Sequence, residues 1–195
     1  MALAHAVSVI ESLEALEPRY FPWLDRRSAL AALKDGTLPR PNSESWKYTD
    51  PAPFFDPGDN VLDAEESVSV PDLPSGVIDF ETDRAREVVS SHINQAVDQR
   101  RYPLAAISYM KIDSGLVVHV KPGDRTQSIQ LGELQGRFQR ILVIVEAEAH
   151  LDLIETTTGS NRVVECFVAP EAELRHRRLQ PAGTGVDYNL VAVNI

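Results

Sequence analysis

A chain of 195 residues is long enough for one sizeable hydrophobic core or two small ones. Its 19 basic against 29 acidic residues leave a net charge of −10, a surface that repels nucleic acid and anionic membrane, so neither is expected as a partner. With 43% hydrophobic and 25% charged residues the composition is that of an ordinary soluble protein, and no apolar run nears the roughly 20 residues that span a bilayer. Cys166 stands alone, which excludes an internal disulfide and fits a reducing compartment. His5, Ser8 and Glu11 interrupt the apolar start and Arg19 is the first basic residue, so a secretory signal is not expected and the cytoplasm is the expected location.

Along the chain, Leu3, Val7, Ile10 and Leu13 recur at helical spacing and predict an amphipathic helix that closes before Pro18. A second helix is predicted from about Leu24 to Asp35, with Gly36 as a left-handed cap and Pro39 just beyond. Asp50 and Ala52 each precede a proline and favour extended backbone. The stretch from Pro51 to Pro74 is rich in Pro, Asp and Gly and reads as a long surface loop with one short strand at residues 67–70. A third helix is predicted where Ala85, Val88, Val89, His92, Ile93, Ala96 and Val97 share one face, with Asp83 as its N-cap.

The texture changes at Leu104. Short β-rich runs are predicted at residues 105–110, 116–120, 129–131, 141–145, 150–154, 163–168, 173–179 and 188–193, divided by Gly, Asp, Pro or Asn. The expected organisation is therefore a helical region with a Pro/Asp-rich loop over residues 1–100 and a strand region over 101–195. Strand centres recurring about every ten residues suit a sandwich, a barrel or a solenoid equally.

The chemistry-bearing residues are sparse. His5, His92, His119, His150 and His176 have no close His or Cys neighbours, and CxxC, HxH and HExxH are absent. Cys166 lies in the apolar run Val163-Val164-Glu165-Cys166-Phe167-Val168, where a cysteine ordinarily acts as a small buried hydrophobe. Arg175-His176-Arg177-Arg178 is the most basic run, but on a strand its side chains alternate between faces and make no single patch. Glu65-Glu66 and the Glu146/Glu148 pair raise paired-carboxylate chemistry, yet no ladder of acids repeats from strand to strand. No P-loop, nucleophile elbow or dinucleotide fingerprint is present, and nothing in the residues marks an enzyme.

Several strings carry a resemblance. Glu44-Ser45-Trp46-Lys47-Tyr48-Thr49 is uncommon and no generic helix or strand rule calls for it. It is followed, in order, by Ile93-Asn94-Gln95-Ala96, by the apolar strand Ile141-Leu142-Val143-Ile144-Val145, by Ala149-His150-Leu151-Asp152-Leu153-Ile154-Glu155, and by Ala172-Glu173-Leu174-Arg175-His176 with Leu179-Gln180. In this order they resemble the SufB/SufD family of iron–sulfur cluster assembly proteins, SufD above all. The resemblance implies an α+β, mainly β fold, with an N-terminal helical region followed by a truncated right-handed parallel β-helix. In such a stack Leu151 and Leu153 would point inward, with His150, Asp152 and Glu155 near the surface. An extended motif would put Trp46 and Tyr48 on one face as an aromatic anchor, with Lys47 and Thr49 on the other and Lys47 in water.

By the same resemblance the chain is a scaffold that works by protein–protein contact with SufB-like and SufC-like partners, the latter supplying ATP hydrolysis. No cofactor is expected in this chain itself; iron or an iron–sulfur cluster would belong to the assembled complex. The family's cluster-handling residues fall outside this sequence, because SufD relatives are considerably longer, so none is carried over. Cys166 and His176, one rung apart in a β-helix, are the one arrangement that would hold a soft metal. A solenoid stopping at Val191-Ala192-Val193-Asn194-Ile195 would present an open apolar end, so association with a partner or a second copy is expected. The rival reading is a β-helical carbohydrate-active enzyme or sugar-binding module, which a carboxylate-lined groove would favour over a smooth wall.

Overall fold

Two of the three predicted N-terminal helices come first. The computed structural model describes residues 2–18, 20–36, 38–39, 44, 47–48, 73–123, 127–132, 134, 136–157, 160–180 and 188–195. Helix α1 spans Ala2–Glu14 and α2 spans Arg27–Asp35, burying Leu13 of the first and Ala29, Ala32 and Leu33 of the second. α2 begins later than predicted, and Gly36 is extended (φ −87°, ψ 176°) instead of left-handed, its N–H donating to the Ala32 carbonyl. Arg26 is why the linker ahead of α2 holds its shape. Its buried guanidinium donates to the carbonyls of Tyr20 and Phe21, both at 2.9 Å, and through Nε to that of Met110 at 3.2 Å. The predicted long loop from residue 51 and the short strand at 67–70 lie outside the described residues.

Helix α3 runs Asp83–His92. Its N-cap is Thr82, whose side chain accepts the Ala85 N–H at 3.2 Å, and Asp83, the predicted cap, sits in the first turn. The helix stops at His92 because Ile93 is extended and Asn94 turns left-handed at φ 61°, so the predicted face breaks before Ala96 and Val97. The run at 105–110 is a second correction. It forms helix α4, Pro103–Met110, in place of a strand. Pro103 takes the first helical turn, where a missing N–H costs nothing, and residues 104–110 are buried all round, which removes the periodicity that separates helix from strand. No helix among the described residues is long and apolar enough to cross a membrane.

Among the described residues eight strands follow the helical region or interleave with it: β1 (Val77–Asp79), β2 (Ser114–Val120), β3 (Gln127–Leu131), β4 (Phe138–Val145), β5 (His150–Thr156), β6 (Asn161–Val168), β7 (Glu173–Leu179) and β8 (Tyr188–Asn194). They form a five-stranded sheet ordered β1-β2-β4-β6-β8 and a three-stranded sheet ordered β3-β5-β7. From β2 onward successive strands alternate between the sheets. Each pairs in parallel with the strand two places earlier, as Gln139 sits opposite Ser114 and Glu173 opposite His150, so the register repeats every 23 to 27 residues. Only β1, three residues that sequence periodicity missed, pairs antiparallel, with Val77 opposite Val118. The chain is thus α+β and mainly β.

Alternation of side chains splits the apolar residues into two cores. Ile141, Val143 and Val145 of β4 face the three-stranded sheet and meet Leu151 and Leu153, while Leu142 and Ile144 face the helices. The five-stranded sheet is therefore covered on both faces, and β4 is buried at every position, which is why its sequence is a nearly unbroken apolar run. The chain packs closely where Phe80 crosses β2: a Cβ on Gly115 would lie 2.4 Å from the Phe80 ring, so glycine is required there.

On the helix-facing side, fully buried Glu165 of β6 accepts the backbone N–H groups of Asn94 at 2.9 Å and Ala96 at 3.2 Å, and meets Arg140 of β4 at 3.4 Å. Arg140→Met alone strands the Glu165 charge and is expected to lower the unfolding free energy by about 3 kcal/mol. Adding Glu165→Gln to that variant recovers part of the loss. Urea midpoints of the single and double variants check this, and equal losses would contradict it.

Candidate functional site

Among the described residues β7 and β8 are the last strands of their sheets and each pairs with a single neighbour, so together they form one end of the two-sheet stack. Register decides which side chains line the space between the sheets there. On β7 they are Leu174, His176 and Arg178, standing over Leu151, Leu153 and Glu155. On β8 they are Asn189, Val191 and Val193, standing over Arg162, Val164 and Cys166. The end therefore has two halves. Val191 and Val193, 40% and 54% exposed above fully buried Val164 and Cys166, make the apolar half.

The polar half is built around Glu155. Oε1 of its fully buried carboxylate lies 2.8 Å from His176 Nε2 and accepts from Arg178 Nε at 2.6 Å, while Oε2 accepts from Arg162 at 3.0 Å. Arg162 is itself buried and donates through Nε to Gln139 at 2.7 Å. Burial alone would raise the Glu155 pKa, but the His176 hydrogen bond and the charges of Arg178 and Arg162 outweigh it and hold the group at about 2. Such a carboxylate stays ionised and both its oxygens accept hydrogen bonds, which makes it a structural anion and a poor base. Glu155 was expected near the surface. It continues instead the inward series Leu151, Leu153, and its contacts with Arg162, Arg178 and His176 are what allow a carboxylate to occupy an interior position.

The two proposed metal ligands fall on different sheets, Cys166 on β6 and His176 on β7. Burial, with the Glu155 charge nearby, pushes the Cys166 thiol up to about 12, so it is protonated at neutral pH and is neither a nucleophile nor a ready ligand. His176 is engaged with Glu155. Among the described residues no three His, Cys, Asp or Glu side chains converge as a metal would need.

The motif at residues 44–49 is only partly described. Glu44, Lys47 and Tyr48 are exposed, and Trp46 and Thr49 lie outside the described residues. Tyr48 is 91% exposed, with Lys47 Nζ 5.4 Å from its ring centroid, so it does not act as the expected anchor. The basic run behaves as alternation requires: Arg175 and Arg177 point outward to Glu173 and Asp152, while His176 and Arg178 point inward. Glu146 is bonded to His119 at 2.6 Å and Glu148 sits in the turn before β5 at φ 61°, while Glu65 and Glu66 lie outside the described residues. No protein-family model matches this chain, and no curated protein matches it.

Two outcomes follow from the site. A thiol reagent at mildly alkaline pH should leave Cys166 unmodified in the folded protein and label it once urea unfolds the chain; rapid labelling of the native protein would contradict its burial. The Glu155 pKa is depressed on folding, from 4.5 to about 2, so its contribution to stability is present above 4.5 and drains away as pH falls from there towards 2. Glu155→Gln should therefore lose stability at neutral pH and show a flatter acid limb in that window, read from thermal midpoints across the pH range.

Proposed function

We propose that this chain is a SufD-like scaffold component of iron–sulfur cluster assembly, acting by protein–protein contact, with β2 to β8 as rungs of a right-handed parallel β-helix. One observation carries the reading. Successive strands step between two sheets, always parallel, with a repeat of 23 to 27 residues, which is the pattern of a chain wound as a solenoid. Ordered strings from Trp46 to Gln180 that resemble the family support the pathway. The repeat supports the fold alone.

In this reading the β7/β8 end is the contact surface. Its apolar half, Val191 and Val193, meets a SufB-like partner or a second copy of the chain, and a SufC-like ATPase supplies hydrolysis to the complex. Iron or a cluster is held by the assembly and not by this chain alone, and the setting is the cytoplasm.

The test is co-expression of the tagged chain with SufB-like and SufC-like proteins. The SufB-like protein is expected to co-elute with the chain, and Val191→Lys with Val193→Lys, both at exposed positions, should abolish co-elution without changing the melting temperature. A chain that sediments as a monomer beside an excess of both proteins would overturn the proposal.

A further inference from the structure

We draw no further inference here: the strongest candidate, the cavity of about 600 Å³ between α2, the turn after α3 and Tyr109 of α4, carries nothing because Asp25 and Arg100 along it already pair with Arg27 and Asp35 and nothing in the structure shows what would fill it.

Discussion

Glu165 ties the helical half of this protein to its strands. Its carboxylate satisfies two backbone N–H groups in the turn after α3, at Asn94 and Ala96, which that turn leaves without helical partners. Arg140, one strand away, closes on the same carboxylate, reaches the Ala105 carbonyl of α4 at 3.4 Å, and lies 5.5 Å from the Tyr109 ring centroid. Withdrawing two such charges from water costs several kcal/mol each, more than their mutual attraction is certain to return. What the pair contributes is placement. Apolar contact between helices and sheet supplies the larger free energy but is non-directional, and it would tolerate the helices at several positions over Leu142 and Ile144.

The same logic operates on the other face of the same strand. Between β5 and β7 the chain crosses once to the five-stranded sheet as β6, which carries Arg162 toward the three-stranded sheet and Glu165 toward the helices. Arg162 reaches Glu155, and Glu155 in turn collects His176 and Arg178 from β7. A slip of one residue in β6 would exchange these faces, putting Arg162 among the helices and Glu165 between the sheets, each without its partner. Parallel strands with apolar residues on both faces specify register poorly by hydrophobicity alone. Here two buried ion clusters, on opposite faces of one strand, supply the missing discrimination.

Much of this was legible as local pattern. The strand runs from 116 to 193 stand out because Gly, Asp, Pro and Asn punctuate them, and seven of them are strands. The helix α4 was misread because a short apolar run buried on all sides has neither a period of two nor of 3.6, leaving Pro103 as the one clue to a helical start. β1 was missed because three residues are too few to show alternation. Gly36 was read as left-handed from its place after a helix, yet its backbone is extended and only the hydrogen bond to Ala32 matches a cap. The ion clusters needed register, which no single strand contains. A signal existed for Glu155: it falls on the inward positions of Leu151 and Leu153, and Arg178 follows at the interval that pairs β5 with β7. Cys166 and His176 both lie on strands, Cys166 on β6 of the five-stranded sheet and His176 on β7 of the three-stranded one.

The two halves of the β7/β8 end place different demands on whatever covers it. Where Arg178 and His176 stand over Glu155, the interior ends in a hydrogen-bonded polar cluster. Where Val191 and Val193 stand over Val164 and Cys166, the apolar interior continues upward to solvent, and covering it removes hydrophobic surface from water. β8 carries no charged side chain, whereas the outer face of β7 carries Glu173, Arg175 and Arg177. An isologous contact pairing all of β7 with its own copy would set Arg175 opposite Arg177, an arrangement that like charges oppose. Covering this end would therefore gain hydrophobic burial at β8, while the outward charges of β7 oppose its pairing with its own copy.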